Sequence, residues 1–236
     1  MKLGIMQPYF FPYIGYFSLI KHTDRFILLD KVQFIYHGWI ERNRILKPVE
    51  GWQYIKIPLQ KRNQKTLISE ILINNDLNWK GTLIAQLQHY KKPAPFYYPV
   101  INLIQQIFSK DFSTITELNA DILRATCNYL GIQKKIEIFS ELNIELDQVN
   151  EPDEWALNIC KAIGGVDEYW NPPGGVSFFD KSKYDKCGIG LKFQIPAINP
   201  YNQKRQLFES SLSIIDVMMF NSAEEINFML DQYELV

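Results

Sequence analysis

The start of the chain constrains its fold most. Lys2–Met6 (KLGIM) is a short apolar run ended by Gln7-Pro8, the mark of a buried strand. Pro12–Lys21 (PYIGYFSLIK) reads as a helix with proline near its first turn, where a missing N–H costs little. Phe26–Leu29 is a second apolar run, ended by Asp30-Lys31. Strand, helix and strand within about 30 residues make a βαβ opening, which implies parallel strands and a right-handed crossover. The expected fold class is α/β, with a mostly parallel, Rossmann-like sheet opened by this βαβ unit.

The later pattern extends this reading. Gln53–Ile57 alternates and meets Pro58, as a strand would, and Leu67–Ile73, Ile136–Phe139 and Gly190–Ile195 are further strand candidates. The middle is helical: Leu77–Tyr90, stopped by Lys91-Lys92-Pro93-Ala94-Pro95, then Phe96–Phe108, then Thr114–Leu130. In the last, Thr114 and Glu117 form a capping box and Gly131 sits at the C-cap. Asp153–Ile163 reads as a helix ended by Gly164-Gly165, and Leu212–Met219 and Ala223–Leu230 as terminal helices. A chain of 236 residues fits one domain, 1–236, with a helical subdomain at about 76–131 whose borders no linker marks.

Charge and cysteine usage narrow the function classes. The net charge of −1 provides no global field for nucleic acid or an anionic membrane, although a local basic patch at Lys31–Arg44 remains. Cys127, Cys160 and Cys187 are odd in number, widely spaced and free of any CxxC pair, so they read as buried thiols in a reducing cytoplasm rather than zinc ligands. No metal site is expected. The apolar run at the N-terminus is too short for a signal-peptide core, and no run approaches the ~20 residues that span a bilayer.

The residues that carry chemistry cluster early. Loops that follow strands are where α/β proteins place their sites. Gln7, Tyr9, Tyr13, Gly15 and Tyr16 follow the first strand and open the first helix, where a glycine admits a ligand to the backbone and N-terminal amides attract phosphate. The arrangement is similar to the H-x-G-H turn of nucleotidylyltransferases, with tyrosine at both histidine positions. An aromatic helix packed on a sheet explains the same residues. Lys31, Gln33, His37, Trp39, Arg42, Asn43 and Arg44 form a polar-aromatic patch. His37 suits acid–base work, and guanidinium forks bind phosphate or carboxylate. Read as helical neighbours, Arg42 and Arg44 point in different directions, so one of them faces a cleft. Asn171–Gly175, with Gly174 and Gly175, resembles a binding loop that only glycines turn so tightly, followed by Asp180, Lys181 and Lys183. Tyr201 and Gln203 lie in a polar turn suited to holding a sugar. His22 and His89, beside lysines, read as structural.

Ile5–Phe17, Asp30–Phe34, Gly38-Trp39-Ile40 and Arg42-Asn43-Arg44 together resemble the WbqC-like family. Pro173-Gly174-Gly175, Tyr201 with Gln203, and Leu212–Val217 resemble it too, so the likeness runs through essentially the whole chain. The family is known from bacterial surface-polysaccharide and O-antigen gene clusters, with a glycine (aminoacyl) transferase role suggested from cluster context and no established catalytic residues. The resemblance implies a cytoplasmic transferase that moves an acyl or aminoacyl group to an amino sugar or nucleotide-linked sugar. ATP or another nucleotide is the candidate cofactor. Nucleic acid is not expected as a partner, but a charged tRNA donor stays open. In this picture Tyr13, Gly15 and Tyr16 meet the nucleotide, Lys31, Arg42 or Arg44 offset phosphate charge, and His37 takes the amine proton. A nucleotidyl- or glycosyl-transfer enzyme and a non-catalytic binding protein of the same pathway remain as alternatives.

Overall fold

The computed structural model of the chain describes residues 1–63 and 65–236. Among them, six strands form the main sheet in the order β5-β2-β1-β6-β7-β8. These are β1 (Lys2–Met6), β2 (Arg25–Leu28), β5 (Ile136–Ile138), β6 (Glu168–Asn171), β7 (Gly190–Pro196) and β8 (Tyr233–Leu235). Every neighbouring pair is parallel except β7 with β8. α1 (Ile14–His22) joins β1 to β2, so the βαβ opening is present. The helix starts later than its sequence suggests: Pro12 lies outside it and Tyr13 is its N-cap.

A parallel sheet has helices or loops on both faces, so its strands are buried on both sides. The side chains sort accordingly with period two. Phe26 and Leu28 enter one apolar cluster and Ile27 the other; Trp170 enters the first and Tyr169 the second. The first cluster continues through α2 (Trp79–Gln86), α3 (Tyr97–Phe108), α4 (Ile115–Tyr129), α7 (Ile214–Phe220) and α8 (Ala223–Leu230). The second contains α5 (Glu154–Ile163), and α6 (Lys181–Asp185) contributes Tyr184 to it. At α4, Thr114 Oγ1 accepts from the Glu117 amide at 3.2 Å and Glu117 accepts from the Thr114 amide at 3.0 Å. Gly131 follows with φ +73°.

Several local expectations are corrected. Arg42–Leu46 is a strand, β3, paired antiparallel with β4 (Trp52–Lys56). Side chains at i and i+2 of a strand share a face, so Arg42 and Arg44 point the same way. Leu67–Ile73 is not a strand: Ile68–Glu70 is a 3₁₀ turn with isolated bridges on either side. Its buried Ile68 and Ile71 are three residues apart, the spacing that a 3₁₀ turn eclipses. The helix expected over Leu77–Tyr90 breaks after Gln86 into a 3₁₀ turn, Gln88–Lys91. Neither Gly174 nor Gly175 has a positive φ. A Cβ on Gly175 would lie 2.7 Å from Asn171 Nδ2 and 2.9 Å from the Phe179 ring, so this glycine serves close packing, while Gly174 has nothing within 4 Å. Cys127 and Cys160 are buried, and burial pushes both thiols up to about 12, but Cys187 is exposed. Among the described residues no helix is long and apolar enough to cross a membrane.

Candidate functional site

The chain runs from β1 to β2 and β5 on one side and returns with β6 on the other side of β1. Strand order therefore reverses between β1 and β6. In open α/β sheets ligands bind outside the carboxyl ends of the strands at such a switch point. A cleft of about 1300 Å³ lies there, reached by Met6 at the end of β1, Leu29 just past β2 and Asn171 at the end of β6. One group of lining residues comes from the loop after β1 (Gln7, Tyr9, Tyr13) and a second from the segment leading into β3 (Gln33, Tyr36, Trp39). Others come from the entry to α5 (Asn150, Glu151, Trp155) and from Gly174, Gly175 and Phe178.

Among the described lining residues Arg44 is the only cation and Glu151 the only carboxylate, and there is no histidine. The Arg44 guanidinium lies 5.1 Å from the Trp52 ring centre and 5.6 Å from that of Trp39. It donates to the Ser211 carbonyl at 3.1 Å, and the Ser213 amide donates to the Arg44 carbonyl at 2.9 Å. Arg44 is thus pinned by ring faces and backbone, with charge left for a ligand. Burial pushes the Tyr9 and Tyr13 phenols up, Tyr13 further because of Tyr9, so both remain O–H donors at neutral pH.

The loop after β1 is held by buried polar side chains rather than by a ladder. Asn119 donates to the carbonyls of Pro8 (2.8 Å) and Ile40 (2.9 Å). Asn43 donates to Phe10 (3.1 Å) and Phe11 (2.9 Å), Ser213 to Phe11 (2.8 Å), and Tyr16 to Gln7 (2.8 Å). The Phe10 amide reaches the Trp39 carbonyl at 2.8 Å, which ties the two loops together. Phe11 adopts φ +39°, a conformation that these bonds sustain. Two residues past β2, fully buried Asp30 accepts from Ser140 N (3.0 Å) and Oγ (2.6 Å), anchoring the turn after β5.

Of the residues singled out by sequence, Gln7, Tyr9, Tyr13, Gln33, Trp39, Asn43, Arg44 and the Asn171–Gly175 loop with Gly174 and Gly175 converge on the cleft. The others do not line it. Tyr16 is buried beneath the loop it supports, and a Cβ on Gly15 would meet the Tyr13 ring at 2.5 Å, so Gly15 makes room for that ring. Lys31 is exposed beside lining residue Val32. His37 is exposed with φ +62°, and its carbonyl accepts from Arg42, whose guanidinium lies 4.3 Å from the Tyr54 ring centre. Tyr201 and Gln203 bond the buried Asp216 at 2.5 and 2.9 Å, and Tyr90 completes that cluster at 2.6 Å. Burial pushes the Asp216 carboxyl up against these three donors. Sequence reasoning missed Glu151, Trp155 and Asn119. Only Asn119 left a signal, as a polar residue on the apolar stripe of α4 beside Ile115, Leu118 and Ile122.

Beyond this chain, similarity is found to the uncharacterized protein Rv1507c of Mycobacterium tuberculosis, 29% identical over 227 residues that make up 95% of each chain. No solved structure matches. The WbqC-like protein family matches residues 7–228. That match opens on Gln7 at the mouth of the cleft and takes in every side chain from Gln7 to Ser211 that forms it: the chain belongs to the WbqC-like protein family.

Proposed function

We propose that the protein is a transferase of bacterial surface-polysaccharide biosynthesis, moving an acyl or aminoacyl (glycyl) group to the amine of an amino sugar or nucleotide-linked sugar. The observation that carries this reading is the switch-point cleft, aromatic on several sides and holding one pinned guanidinium. Its volume of about 1300 Å³ accommodates two substrates side by side. Ring faces of Tyr9, Tyr13 and Trp39 suit a sugar or base, and the amides of Gln7 and Gln33 suit hydroxyl groups. Arg44 suits a phosphate or the carboxylate of an amino acid. In the transfer the amine nitrogen attacks the acyl carbonyl, a C–N bond forms and the bond to the leaving group breaks. The amine proton passes through a base to that leaving group. Glu151 is the lining group able to take it, with His37 on the adjoining loop, where Lys31 suits phosphate charge instead.

A thermal-shift screen with ATP, UDP- and dTDP-sugars, coenzyme A and glycine tests the reading. A ligand at 100 times its dissociation constant adds about 2.7 kcal/mol of stability. A nucleotide or nucleotide sugar is expected to raise Tm, and Arg44→Ala to abolish the shift while unliganded Tm changes little. No shift with any of these, or a shift indifferent to Arg44→Ala, overturns it. The absence of histidine from the described lining favours a second reading, a binding protein without turnover; it predicts the same shift with no product from any donor.

A further inference from the structure

Residues 31–65 hold eight lysines and arginines against two glutamates, in a chain whose net charge is −1. Among the described residues the only arginine in an ion pair is Arg25, with Glu137. Arg42, Arg44 and Arg62 lie instead on aromatic faces: Arg42 on Tyr54, Arg44 between Trp39 and Trp52, Arg62 at 4.6 Å from Phe34 and 4.8 Å from Tyr36. The Nε atom of each is buried with no hydrogen-bond partner.

The hairpin register sets Arg42 opposite Lys56 and Arg44 opposite Tyr54. Directly opposed side chains share a face, so Arg42, Arg44, Tyr54 and Lys56 form one surface. Like charges so placed repel each other, a cost that a bound anion removes. Lys31, Lys56, Lys61 and Lys65 are all exposed. Of these cations only Arg44 lines the cleft, so a small ligand filling the cleft would leave most of the charge unmet. A run of phosphates leaving the cleft along the hairpin would meet it. Guanidinium planes and Trp or Tyr faces are also the platforms on which unpaired bases stack.

We propose that the β3–β4 hairpin, with Lys61, Arg62 and Lys65, docks the single-stranded end of an RNA whose terminus enters the cleft at Arg44 and Trp39. An aminoacyl ester on that terminus is the donor this would deliver, a point that rests on the transferase reading. RNA binding itself does not, and it is measured without turnover, so the two ideas fail separately.

The probe is a fluorescein-labelled oligoadenylate RNA of 12 nucleotides, titrated with the full chain at 50 mM salt and followed by anisotropy. Saturable binding is expected, weakened at least tenfold by the exposed-site double variant Lys56→Glu/Lys61→Glu and severalfold by Lys61→Glu alone. Lys186→Glu, at the C-cap of α6, leaves it within twofold. Three neutralised phosphates give a slope of about 2 in log Kd against log salt. Circular dichroism checks that the variants are folded. Absence of binding, or affinity indifferent to the charge reversals, overturns the proposal. So does competition by inorganic polyphosphate equal to that by RNA, which would reduce the effect to charge. Capture by anionic phospholipid vesicles through the same lysines, without RNA binding, overturns it in favour of a membrane surface.

Discussion

Two side chains show how much of the site rests on single buried hydrogen bonds. Asn119 is fully buried and donates to one carbonyl in each of the two loops that frame the cleft. Asn119→Ala is expected to cost about 1–3 kcal/mol by leaving both carbonyls unpaired. Urea unfolding measures that loss, and calorimetry with whichever ligand the cleft takes is expected to show weaker binding. Glu137 is the second case. Burial alone pushes its carboxyl up, but the hydrogen bonds and charges of Arg25 and Lys135 outweigh burial and hold it below the usual carboxylate range. The unfolded chain then takes up this proton more readily than the folded one. The stabilisation is full above the unfolded pKa and disappears as pH falls through the depressed folded value. Glu137→Gln is therefore expected to lower stability by about 1–3 kcal/mol at pH 7. Its deficit relative to the parent shrinks on acidification, which urea titrations at pH 7, 5 and 3 follow.

At the scale of elements, the 3₁₀ turn Pro173–Gly175 separates two glycines that look equivalent in sequence. A Cβ added at Gly175 would meet Asn171 and Phe179 at less than van der Waals distance, whereas one at Gly174 would meet nothing within 4 Å. Gly175→Ala is expected to cost about 1–3 kcal/mol as the strand end and the Phe179 ring are forced apart. Gly174→Ala stays within about 0.5 kcal/mol, and a pair of thermal melts compares them. The hairpin teaches a related lesson. RNRIL was open to a helical reading because three of its five residues are polar. Pairing with β4 decides otherwise: it buries Asn43 and Ile45 on one face and stacks Arg42 and Arg44 on rings across the other.

For the whole molecule, sheet residues Phe26 and Leu28 share one apolar cluster with Ile104 of α3 and Leu118 of α4. We propose from this continuity that the helical middle, about 76–131, does not unfold separately. Tryptophan fluorescence and far-UV dichroism are then expected to report coincident urea transitions, and two resolved transitions would sink the idea. Local chemistry made much of the fold legible. The apolar runs of β1 and β2, the Thr114–Glu117 capping box and Gly131 each carry their reason within a few residues, and the parallel βαβ start follows from their order. The short edge strand β8 was not legible, because Tyr233–Leu235 is largely exposed and is ordered by pairing with β7. For the site, sequence marked the loop that begins at Gln7 and the patch around Arg44. It held no sign that Glu151 and Trp155 join them, or that His37 and Tyr201 stay outside the cleft. The type of β1, α1 and β2, the caps of α4 and the crossover are set by interactions within a turn or two of the chain, and these the sequence determined by itself. The cleft was decided only by tertiary structure, because strand order and buried side-chain bonds bring together segments more than a hundred residues apart.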